Sequence, residues 1–203
     1  MQIKLTNVGK RYNREWIFRK VDYTFTPGKK YAITGSNGSG KSTLLQVVSG
    51  AIIFNEGKIE YSNQHSIIEE ENFYKHIAIA APYLELIEEM TTEEMINFHH
   101  QFKPLIKAPK EIAERIGLEK AFTKQIRYFS SGMKQRLKLA LAFFSDSPVL
   151  FLDEPTTNLD SEGIELYLQL IASFTNNRLV LISSNDLHEY NFCDDIISIG
   201  NYK

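Results

Sequence analysis

The sequence is poor in cysteine, in long apolar runs and in net charge, and each shortage excludes something. One cysteine among 203 residues, Cys193, rules out an internal disulfide and fits a reducing compartment. Its mixed polar and apolar surroundings mark it for packing rather than chemistry. No apolar run approaches the ~18 residues that a bilayer-spanning helix requires. The amino terminus, MQIKLTNVGKRY, alternates like a strand and lacks the apolar block of a signal peptide. Lysine and arginine number 23 against 25 aspartate and glutamate, a formal net charge of −2, so no general attraction to nucleic acid or a membrane surface is expected. Repeats, low-complexity tracts and flexible linkers are missing too. What remains is 43% hydrophobic and 24% charged, which fits one soluble, cytoplasmic domain with a core of its own.

Residues 1–34 read as β structure with turns, ending in the apolar run Tyr31-Ala32-Ile33-Thr34. A glycine-rich loop follows, then a helix over Ser42–Ser49. Short strands are expected at Gly57–Tyr61 and His76–Ala81. Residues 84–146 change character, with Glu, Leu, Met, Phe and Lys at helical spacing and Pro104 and Pro109 as breaks. Val149–Leu152 and Leu179–Ile182 suit central parallel strands, Ser161–Phe174 a helix, and Asp195–Ile199 a last strand. Strands alternating with helices predict an α/β sheet with a helical insertion. The chain is expected to divide into a core of about residues 1–83 and 147–203 and a helical subdomain of about 84–146.

The strongest motif is GSNGSGKST, residues 35–43, which matches G-x-x-x-x-G-K-[ST] through Gly35, Gly40, Lys41 and Ser42. It follows an expected strand and opens an expected helix. Glycines let the backbone curl until successive N–H groups of Gly35, Ser36, Asn37, Gly38, Ser39, Gly40, Lys41, Ser42 and Thr43 face phosphate oxygens. The helix terminus adds partial positive charge. Lys41 is expected at the terminal phosphates and the Ser42 hydroxyl on Mg²⁺, so the chain should bind a nucleoside triphosphate. In VLFLDEPTTNLD, Asp153 ends a buried strand, where a carboxylate can hold Mg²⁺ through water. Glu154 points the other way along the pleat and can orient or deprotonate the attacking water.

Between these elements, YFSSGMKQRLKLALAF at 128–143 resembles the L-S-G-G-Q signature of ATP-binding cassette (ABC) ATPases. The order of motifs is also that family's, over essentially the whole chain. The resemblance implies a P-loop NTPase (RecA-like) core with an antiparallel β subdomain at the amino terminus and an inserted helical subdomain. It implies Tyr12 as the aromatic that stacks on adenine. Ser130, Ser131, Gly132 and Met133 would bind the γ-phosphate of ATP held by the opposite subunit, and Asp160 of the D-loop would lie at the dimer interface. The implied active form is a head-to-tail homodimer or heterodimer that sandwiches two ATP molecules, closes on binding and opens on hydrolysis. It would sit on the cytoplasmic face of a membrane beneath a separately encoded transmembrane permease, with no nucleic acid involved.

Ser131 and Met133 depart mildly from the signature. Two other departures bear on rate. The family's Q-loop glutamine falls at Pro82, so metal coordination is completed by water or by Glu85. The family's switch histidine, which contacts the γ-phosphate, falls at Asn185, with His188 one helical turn beyond as the other candidate. An amide donates a hydrogen bond but carries no proton or charge at neutral pH. An ATP-gated clamp with weak hydrolysis is therefore one alternative, and a non-transport ABC ATPase another.

Overall fold

The computed structural model describes residues 1–63 and 66–203. In chain order the elements are β1 (Gln2–Tyr12), β2 (Glu15–Phe25), β3 (Lys30–Thr34), α1 (Lys41–Val48), β4 (Glu56–Ser62), β5 (Ile67–Ile68), α2 (Glu70–Phe73) and β6 (Ile77–Ala80). There follow α3 (Thr92–Phe102), α4 (Pro109–Arg115), α5 (Ser131–Phe143), β7 (Val149–Asp153), α6 (Ser161–Phe174), β8 (Leu179–Ser183), α7 (Leu187–Tyr190) and β9 (Asp195–Ser198). They sort into two compact units, one of Met1–Ile77, Pro148–Glu154 and Asn177–Lys203, the other of Ala78–Ser147 and Pro155–Asn176.

The first unit carries two kinds of sheet. An antiparallel sheet runs β2-β1-β4-β5, in which Ile3 lies opposite both Phe25 and Tyr61. Alternation explains it: Ile3 and Leu5 of β1 are buried while Lys4 and Thr6 between and beyond them are exposed. A register shift after Thr6 is accommodated by Gly57, whose φ of 90° and 2.3 Å from an added Cβ to the Asn7 carbonyl oxygen leave no room for a side chain. The parallel strands follow the order β7-β8-β3-β9. All five residues of β7 and all five of β8 are buried, as unbroken apolar runs in a parallel sheet require. Register aligns their carboxyl ends, with Asp153 opposite Ser183 and Ser183 opposite Ile33. The segments after β3, β7 and β8 thus leave the sheet at one edge. This is an α/β fold of the P-loop NTPase kind. Among the described residues no helix is long and apolar enough to cross a membrane.

The second unit is helical. Thr91 and Glu94 close a capping box at the start of α3. Pro109 opens α4 instead of interrupting a helix, since a first-turn proline loses no internal hydrogen bond. The unit reaches beyond residues 84–146 because α6 packs on α5: Phe143 meets Tyr167 edge-on at 6.4 Å between ring centres, and Phe144 meets Phe174 at 4.8 Å.

Candidate active site

The loop after β3 curls through three glycines with left-handed φ, Gly35, Gly38 and Gly40. Gly40 is the tightest, since a Cβ there would lie 2.3 Å from Ile17 Cγ2. Gly40 also starts α1 with no side-chain cap, which leaves the first-turn N–H groups for another acceptor. The result is a cleft of about 210 Å³ lined by Ile17, residues 37–43 and Glu154. Lys41 is 4% exposed, its ammonium donating to the carbonyls of Gly35 at 2.9 Å and Ser36 at 3.3 Å. A buried cation at the base of a ring of N–H donors is an anion site.

Asp153 is 2% exposed at the end of β7. Its Oδ1 accepts from the Ser42 hydroxyl at 2.9 Å. Burial is the main reason that its carboxyl titrates above the usual range; the neighbouring Glu154 adds to this, while the Ser42 hydroxyl and the Lys41 ammonium oppose it. Two hard oxygens face each other here, and no cluster of three or more His, Cys, Asp or Glu lies elsewhere among the described residues. So sparse a donor set fits Mg²⁺, which keeps several waters and takes phosphate oxygens as further ligands.

Glu154 lines the cleft by a different route from the pleat alternation expected of it. Its φ of 43° is left-handed, so the strand has ended and the backbone has turned. The Glu154 N–H donates to the Ser183 carbonyl at 2.8 Å, which fixes that turn. Asn185 does not line the cleft. Its Nδ2 donates to Oδ1 of Asn37, a lining residue, at 2.7 Å. His188 lies in the first turn of the short α7, where its N–H donates to Asp186 Oδ1, and it is not on the cleft wall either. Tyr12 ends β1 half-exposed, with Lys10 Nζ 4.8 Å from its ring centre. The lining residue in the β1–β2 hairpin is Ile17, a position that sequence alternation gave no reason to single out.

In the second unit Ser130 caps α5, its Oγ accepting from Met133 N at 3.2 Å. Ser130, Ser131, Gly132 and Met133 line a second cleft of about 430 Å³ with Lys120, Arg136, Asn158 and Asp160. A Cβ on Gly132 would stand 3.1 Å from the Asn158 carbonyl, so glycine is favoured here by close backbone approach. Asp160 caps α6 through Gly163 N at 2.8 Å and pairs with Arg136 at 2.9 Å. Pro82 offers its carbonyl to Lys138 Nζ at 3.1 Å, and Glu85 stays exposed. Burial pushes the Cys193 thiol up to about 12, which disfavours the thiolate.

Residues 18–157 match the family model described as ABC transporter. The chain is 31% identical over 208 residues to the lantibiotic transport ATP-binding protein SrtF of Streptococcus pyogenes, covering 96% of this chain and 85% of that one. It is 31% identical over 205 residues to the ABC transporter ATP-binding protein YybJ of Bacillus subtilis, covering 97% and 88%. A bacterial ABC transporter cassette solved as a dimer shares the fold at a TM-score of 0.82 and 23% identity, over 98% of this chain and 95% of that one.

Proposed function

The chain belongs to the ABC transporter family of ATP-binding proteins, and from that premise we propose that it is the ATP-hydrolysing subunit of a transporter whose membrane-spanning part is a separate polypeptide. One observation carries the reading. The phosphate loop, the facing Ser42 and Asp153 oxygens and the Glu154 carboxylate converge at one edge of one sheet. Chemistry at that edge needs three things: donors for phosphate oxygens, oxygens for a divalent cation, and a base for water. The loop N–H groups with Lys41, the Ser42–Asp153 pair and Glu154 match these three needs in turn, which supports the reading.

In this reading the N–H groups of residues 35–43 and the Lys41 ammonium hold the phosphates of ATP. Ser42 and Asp153 hold Mg²⁺, which when bound neutralises charge on the phosphate oxygens. Glu154 accepts the proton of the attacking water, and Tyr12 stacks on adenine. Residues 130–133 contact the γ-phosphate of ATP bound to a second cassette, with Asp160 beside them. Head-to-tail closure of two cassettes on two ATP molecules drives the membrane partner, and the chain is peripheral on the cytoplasmic face. SrtF is named for lantibiotic transport, which supports a cargo of the antibiotic-peptide type. Asn185 favours a second reading, an ATP-gated clamp of slow turnover, because an amide supplies no charge to the transition state.

Turnover of the purified chain beside Glu154→Gln tests the main reading. The wild type is expected to hydrolyse ATP, and the variant to bind ATP, lose hydrolysis by about 10²-fold or more and run as a dimer in sedimentation. An ATP-bound variant that hydrolyses at the wild-type rate removes Glu154 as the base. A wild type that binds ATP but turns over below about 0.01 s⁻¹ moves the assignment to the clamp, given the usual enzymic range of about 1–10³ s⁻¹.

A further inference from the structure

We propose that Asn37 and Asn185 form one functional unit, in which Asn185 is a positioning residue that sets which end of the Asn37 amide faces the phosphates. The proposal rests on the ATPase reading above. A side-chain amide has a donor end and an acceptor end, and only the donor end suits an anion. Asn185 Nδ2 donates to Asn37 Oδ1 at 2.7 Å. With its oxygen engaged, Asn37 keeps its Nδ2 hydrogens for the cleft it lines. Left without that partner, the Asn37 amide turns as readily with its oxygen toward the triphosphate, where lone pair meets negative charge. Asn185 is not itself on the cleft wall, so it acts through Asn37.

The supports of the two residues fit this role. Asn185 follows Ser183 and Ser184, 0% and 1% exposed, and the Ser184 N–H donates to the Ile33 carbonyl at 3.1 Å. The Ser184 Oγ then accepts from Asp186 N at 2.9 Å, which holds the turn that carries Asn185. Asn37 lies on the loop that leaves β3, the strand next to β8. The bond therefore ties the end of β8 to the phosphate loop with two groups that do not titrate. Lys41 and Glu154 are the charged residues that line the cleft together with Asn37.

A double-mutant cycle tests it, read as ATP affinity by titration and as kcat between pH 5.5 and 8.5. Asn37→Ala and Asn185→Ala are each expected to lower kcat/KM roughly threefold to tenfold, the worth of one hydrogen bond. The double variant should lose no more than the larger single loss, since both act through one bond. Asn185→His, which restores a donor, should recover most of the activity and add a pH limb near the ordinary histidine range that the wild type lacks. Additive single losses, or an Asn185→Ala variant as active as the wild type, overturn the pair. So does an Asn185→His variant that recovers nothing while its melting temperature is unchanged. A wild type that neither binds nor hydrolyses ATP overturns the functional reading itself, and the pair with it.

Discussion

Asp153 shows at the scale of one residue how function works against stability. Its carboxyl titrates above the usual range because burial at the end of β7 disfavours charge. An acid of raised native pKa holds its proton better folded than unfolded, so its contribution to stability is present at low pH. That contribution is lost as pH rises from the unfolded value through the raised one. Asp153→Asn removes the charge in place. Without nucleotide or Mg²⁺, the variant is expected to melt roughly 2–4 °C higher at pH 7, about 1 kcal/mol for a chain of this size, with the gain shrinking near pH 4. ATP hydrolysis should disappear. Thermal melts at the two pH values check this, and a variant that melts lower at pH 7 sinks it. Lys41, Ser42, Asp153 and Glu154 were legible because charges and small polar groups at the ends of apolar strands stand out in a sequence. The bond between Asn185 and Asn37 was not, because its partners lie 148 residues apart and only the register of β3 beside β8 unites them.

At the scale of elements, α6 owes its start to one carboxylate that also serves α5. Asp160 Oδ1 accepts from Gly163 N and from Arg136, both below 3 Å. These two contacts hold the Asp160 carboxyl below its usual range, and that contribution to stability is lost as pH falls through the lowered value. Asp160→Ala should lower stability by removing the N-cap, and Asp160→Asn should lower it clearly less because an amide oxygen still caps. Chemical denaturation resolves the two, and equal losses would mean that the cap is not what Asp160 contributes to stability. The span Ser161–Phe174 was read correctly from its pattern, since Tyr167, Leu170 and Ile171 recur on one buried face. Pro104 and Pro109 mark a real break, since α3 ends at Phe102 and α4 starts at Pro109, with Ala108 still in the extended region. The grouping of α6 with α5 was out of reach, since aromatic contacts between residues 143 and 167 leave no trace in local periodicity.

For the whole molecule, a head-to-tail dimer has a consequence that a single cassette lacks. Each reaction site would combine one chain's phosphate loop with the other chain's residues 130–133. Lys41→Ala and Ser131→Arg chains should each be inactive alone. Random pairing makes half the dimers mixed, and each mixed dimer has one intact site, so an equal mixture should regain about a quarter of the wild-type rate. Steady-state turnover of the mixture checks this; no recovery with dimers present points to a different pairing.

The backbone at Glu154 has its own implication for anyone who selects variants of this chain. A left-handed φ of 43° on a residue with a Cβ is strained by roughly 1 kcal/mol, and glycine would relieve it. A library sorted on heat resistance alone should therefore enrich glycine at position 154. A library sorted on ATP turnover should purge it. Opposite enrichment at one codon would mark the place where selection for durability and selection for catalysis part company.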